Sequence, residues 1–122
     1  MAKIFLIVLG AAYAALAVWC VARPEQTARS IGLSLLPGSG QSEYQTVYGG
    51  LQLGLGLFFL WAGWRGDAVD SALLASCFAH GGIVALRTAS LVQFSGISSM
   101  TYGFAALEWV ILLASGLLYW QR

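Results

Sequence analysis

Arg87 lies inside a run of 22 largely apolar residues, SALLASCFAHGGIVALRTASLV from Ser71 to Val92, and that placement constrains this chain more than any other feature. The run matches one bilayer crossing, because about 20 residues at about 1.5 Å each cover a hydrocarbon core of about 30 Å. A guanidinium keeps its proton, and an arginine in lipid costs from about 2.5 to more than 10 kcal/mol, so it requires a partner or water. Other parts of the chain must supply that partner. Leu73, Cys77, His80, Val84, Arg87 and Leu91 alternate spacings of four and three, which puts His80 and Arg87 on one helix face.

The remainder reads as further membrane helices. Of 122 residues, 59% are hydrophobic and 9% charged, where soluble domains carry about a quarter charged residues; the mean hydropathy is +0.78. Six basic and five acidic side chains leave a net charge of +1, so the basic surface that nucleic-acid binding needs is absent. Spans are expected at about 4–22, 46–64, 71–92 and 101–120, with a polar loop at 23–45, in one transmembrane domain over 1–122. The expected fold is all-α, an antiparallel four-helix membrane bundle. The apolar run at 4–22 is longer than a usual signal-peptide core and reads as an uncleaved first helix. Leu16–Cys20 is a poor lipoprotein cleavage site, with bulky Trp19 just before the cysteine. Cys20 and Cys77 are expected at different depths, unpaired.

Within 23–45, Pro24 stops the first helix or starts a new one, and Glu25 and Arg29 stand at i and i+4 of a short interfacial helix. Pro37 to Gly40 read as a hinge, and the segment as a whole as a connecting loop. In the second span Gln45, Tyr48 and Gln52 make one polar stripe. Gly49, Gly56 and Gly63 repeat at heptad spacing and Gly50 and Gly54 form a G-x-x-x-G pair, so Gly49, Gly50, Gly54 and Gly56 are expected to serve helix packing. Gly10, Ala14 and Ala17 give the first helix a small-residue face, which permits close backbone approach to a neighbour. The six-residue link Arg65–Asp70 makes the second and third spans antiparallel neighbours.

The fourth span contains one charge, Glu108, on a stripe with Thr101, Ala105, Leu112, Ser115 and Tyr119. At about 1.5 Å per residue, Arg87 is about 7 to 8 Å below the side carrying the first and third loops, Gln52 about 9 Å and Glu108 about 10 Å. His80 is deepest. An intramembrane polar site is therefore expected from Arg87, Glu108, Gln52 and Tyr48, floored by His80 and roofed by Glu43. Lys3, Arg65 and Arg122 against Arg23 and Arg29 place both termini in the cytoplasm by the positive-inside rule. Trp19, Trp61, Trp64, Tyr119 and Trp120 mark the span ends.

The stretch Glu43-Tyr44-Gln45-Thr46-Val47-Tyr48-Gly49-Gly50, followed by Arg87 and Glu108, resembles an uncharacterised family of small bacterial four-helix membrane proteins distantly akin to DoxX-like proteins. The resemblance covers essentially the whole chain. It carries Glu43, Tyr48, Gly49, Gly50, Arg87 and Glu108, while Gln45 stands where the family pattern often has an arginine. It implies a fold in the bacterial inner membrane and brings no established activity.

Two readings follow. The first is a pocket for a small amphipathic molecule, a lipid, isoprenoid or quinone, with Arg87 on its polar head and Glu108 or His80 as candidates for proton exchange. The second is a structural or accessory subunit of a membrane complex, with the Arg87/Glu108 pair fixing helix packing. Membrane lipids, a homo-oligomer or another subunit are the expected partners. No cofactor is implied. One histidine and scattered acids make no metal site. Whether a reaction is catalysed is left open, and a proton-coupled carrier would need an oligomer.

Overall fold

The long apolar segments form helices because each satisfies its own backbone, as lipid requires. The computed structural model describes residues 1–122, and its regular structure is all helix, in the order α1 (Ala2–Ala22), α2 (Pro24–Ser30), α3 (Ser39–Tyr44), a π-helical segment (Gln45–Leu51), α4 (Gln52–Arg65), α5 (Val69–Gln93) and α6 (Ser99–Trp120). The segment from Ser39 to Arg65 is continuous, so four helices are long and apolar enough to cross a membrane: Ala2–Ala22, Ser39–Arg65, Val69–Gln93 and Ser99–Trp120. This is a multi-pass membrane protein. The chain forms two units, Lys3–Gly66 and Asp67–Arg122, the latter with Met1 and Ala2.

In the first unit α1 and α4 pack backbone against backbone. A β-carbon on Gly10 would lie 2.6 Å from the Gly56 carbonyl oxygen, and one on Gly56 would lie 2.8 Å from the Ala14 nitrogen. Gly63 likewise meets Ile7 and Lys3, and Gly49 meets Val21. Partners advance along α1 as they retreat along the second span, so the two run antiparallel. Leu6, Phe59 and Ala62 are fully buried, and Tyr13 meets Phe59 edge to face with ring centroids 6.0 Å apart.

The heptad glycines thus carry this packing together with Gly10 and Ala14. Gly50 and Gly54 do not, for open space surrounds the position of a β-carbon at each. The G-x-x-x-G expectation is corrected for the contacts of this unit. The physical reason is angular: α1 occupies the face of Gly49, Gly56 and Gly63, and Gly50 and Gly54 stand off that face.

The segment 23–45 holds the short helix expected after Pro24 and, in addition, α3 and the start of the π-helical segment. Pro24 opens α2, where its missing N–H costs nothing. Gly38, at φ +78°, precedes α3, and its N–H is taken by the Gln41 side-chain oxygen at 3.2 Å. The Pro37–Gly40 cluster therefore starts the second span at Ser39, ahead of Thr46. Gln41 in turn donates to Glu25 at 3.2 Å, tying α3 to α2. Tyr44 is buried among Cys20, Ala28, Ile31 and Leu35, its hydroxyl 3.7 Å from the Cys20 sulfur.

Gly66 ends α4 in the left-handed conformation, φ +85°, with its N–H on the Ala62 carbonyl. The Lys3 side chain fills the space a β-carbon would take there, which sets an ammonium against the negative end of α4. In the second unit α5 packs along α6. Ser98 caps α6 by accepting the Thr101 N–H at 3.3 Å, so this helix begins at Ser99, slightly before the expected 101. Arg122 pairs with Asp70.

Candidate functional site

The polar stripes expected on the third and fourth spans meet. Arg87 donates from Nε to Glu108 Oε2 at 3.0 Å and from Nη2 to Oε1 at 2.8 Å. Two parallel bonds between planar groups make a strong, geometrically fixed pair. Arg87 lies six residues before Gln93, about 9 Å from the end of α5 at about 1.5 Å per residue. The pair thus stands within the apolar length of both helices. It is not sealed, because the Arg87 side chain remains 33% exposed and that of Glu108 16%.

His80 lies about two turns deeper, roughly 10 Å along α5 from Arg87, and is 1% exposed. Its Nδ1 is 2.9 Å from the Ser76 carbonyl oxygen and 3.2 Å from Ser76 Oγ. Ser76 Oγ is 2.8 Å from Ser115 Oγ, and Ser115 donates to the Ile111 carbonyl at 2.8 Å. Counting hydrogens fixes the direction of this chain. A carbonyl only accepts, so Nδ1 carries the imidazole proton and Ser115 spends its own on Ile111. Ser76 must then donate to Ser115 and accept from His80. In the neutral ring the lone pair consequently belongs to Nε2.

These contacts set the direction of the second pair too. Ser76 meets Ser115 while Arg87, further along α5, meets Glu108, nearer the start of α6. The two helices run antiparallel.

Of the expected site residues, Arg87 and Glu108 are brought into contact and His80 is placed on the same helix face, bonded into α6 through Ser76 and Ser115. Glu43, Tyr48 and Gln52 belong to the other unit. Glu43 is exposed on α3. Tyr48 is half-buried, its ring stacked on Tyr44 with centroids 4.6 Å apart. The Gln52 side-chain oxygen is buried with no hydrogen-bond partner. The single stripe expected of Gln45, Tyr48 and Gln52 is corrected, because Gln45–Leu51 is π-helical. Its i→i+5 turns take more residues than α turns, so helical spacing does not align positions across it, and Gln45 is exposed. Ser76 was not singled out in the sequence, although it stands one turn before His80. Cys20 and Cys77 are free thiols, and no three His, Cys, Asp or Glu side chains come together as a metal site would require.

Four membrane-length helices with a guanidinium–carboxylate fork inside one helix pair define a small multi-pass membrane protein with a polar centre within its apolar length. The chain belongs to the family described as a domain of unknown function, DUF4345, whose model matches residues 1–120. No curated protein and no solved structure matches it.

Proposed function

We propose that this protein binds a small amphipathic ligand, of lipid, isoprenoid or quinone type, in the bacterial inner membrane, with Arg87 and Glu108 holding its polar head and both termini in the cytoplasm. The observation that carries this reading is the open ion pair. A third of the Arg87 side chain remains reachable to the polar head of a ligand. The planar guanidinium fork suits phosphate, carboxylate or carbonyl oxygens, and Glu108 holds it in a fixed plane through Nε and Nη2. His80 is enclosed, which favours a positioning role over direct contact with a ligand.

The test is native mass spectrometry of protein extracted gently from its own membranes, compared with Arg87→Lys and Glu108→Gln. The expected result is a discrete small-molecule mass on the wild-type chain that both variants lose while keeping native helicity. Stoichiometric protein neighbours with no small molecule would overturn it in favour of the subunit reading. That reading has its own observation, the open faces at Gly50 and Gly54.

A further inference from the structure

The Lys3–Gly66 unit carries a largely apolar groove of its own. A groove of about 570 Å³ lies between the end of α1 and the start of the second span, within the range of about 300 to 1,000 Å³ usual for ligand pockets. Val18, Val21 and Ala22 form one wall, and Thr46, Gly50 and Leu53 the other. Gly49 admits Val21, with a β-carbon there only 2.5 Å from Val21 Cγ2, and Gly50 leaves open space. The second wall includes the π-helical segment, Gln45–Leu51, a geometry that is rare and concentrates at functional sites.

The groove has a polarity gradient along its length. Ser42, Gln45 and Thr46 line one end and Leu53 the other. Ser42 to Leu53 is about 16 Å at about 1.5 Å per residue, about half of a hydrocarbon core of about 30 Å. That is the depth of one leaflet. Next in sequence to lining residues of the polar end stand opposite charges: Arg23 follows Ala22, its guanidinium donating to Gln26 Oε1 at 3.3 Å, and Glu43 follows Ser42. Both are exposed.

We propose that this groove holds one phospholipid with a zwitterionic head bearing a primary ammonium, as in phosphatidylethanolamine. An acyl chain lies along Val18, Val21, Gly50 and Leu53, the phosphate faces the Arg23 guanidinium and the ammonium donates to the Glu43 carboxylate. A purely anionic head would satisfy Arg23 and meet repulsion at Glu43. A quaternary ammonium would keep the charge and lose the N–H donors. A second copy of the chain would have no need of a gradient that ends at mid-membrane.

The test is competition in delipidated detergent micelles, read by native mass spectrometry, among dioleoyl phosphatidylethanolamine, phosphatidylcholine and phosphatidylglycerol. The wild-type chain should retain one phosphatidylethanolamine at least tenfold more tightly than either competitor. Glu43→Gln should lower retention to the phosphatidylcholine level. Gly50→Leu, which fills open space, should abolish it, while Gly103→Leu, at an equally open position on α6, should leave it unchanged. Equal retention of the three lipids, or wild-type retention in Gly50→Leu, would overturn the proposal. A wild-type dimer lost in Gly50→Leu would assign the groove to a second copy instead. If Gly50→Leu does not fold, the head-group preference of Glu43→Gln decides. Arg87→Lys should leave this lipid in place, which separates it from the ligand proposed at the ion pair.

Discussion

Two glycines on α4, two residues apart, should respond to alanine with opposite sign. At Gly56 the added methyl would lie 2.8 Å from the Ala14 nitrogen, 2.9 Å from the Gly10 oxygen and 3.2 Å from Tyr13 Cβ. Favourable contacts to carbon are about 3.5 to 4.0 Å, so α1 and α4 must separate by roughly 0.6 Å or more. The first two obstacles are helix backbone and cannot rotate away. Overpacking of this kind costs about 1 to 3 kcal/mol, and the rigidity of the obstacles puts Gly56→Ala in the upper half of that range. At Gly54 the same methyl meets open space, and alanine gains up to about 1 kcal/mol of helix propensity over glycine. The expected gap between the variants is thus on the order of 2 to 4 kcal/mol, at least tenfold in the folding equilibrium at about 1.4 kcal/mol per decade. The assay is reversible unfolding by sodium dodecyl sulfate in mixed micelles, followed by tryptophan fluorescence and far-ultraviolet circular dichroism. Equal midpoints for the two variants would refute the close approach of α1 and α4 at Gly56.

His80 is the only histidine in the chain, so nitrogen-15 histidine labelling reports a single ring. Neutral His80 should show a protonated Nδ1 and a pyridine-type Nε2, and the reverse assignment would break the hydrogen-bond direction through Ser76 and Ser115. Gly66→Ala forces an L side chain into φ +85° and onto Lys3. It should cost about 1 to 2 kcal/mol from the backbone alone, measured by the same detergent titration, and an unchanged midpoint would argue against the left-handed cap.

The membrane class and the four spans are legible in the sequence because hydropathy integrates over about 20 residues and tolerates local irregularity. The Arg87–Glu108 contact is legible for a related reason: a charge in an apolar helix has few ways to be satisfied, and Glu108 is the one acid in the fourth span. What escapes is whatever depends on angular phase. The π-helical segment leaves no composition signal and displaces Gln45 from the stripe of Gln52, so a spacing argument that assumes 3.6 residues per turn fails across it. The same limit applies to the glycines. Two overlapping small-residue patterns occur on one helix, and only the position of α1 selects Gly49, Gly56 and Gly63 over Gly50 and Gly54. Ser76 was hidden by commonness, for a serine beside small residues carries no mark until its neighbours His80 and Ser115 are placed.

The π-helical segment also divides labour along the second membrane span. Its wider turns shift the angular index between its two ends, so the Ser39 end turns Tyr44 onto Cys20 of α1 and Ala28 of α2 while the Arg65 end keeps Gly56 and Gly63 on α1. An unbroken α-helix would have bound both choices to one angle. Here each end answers to its own neighbours, and residues can be exchanged at the interfacial layer without re-aiming the glycine seam below it.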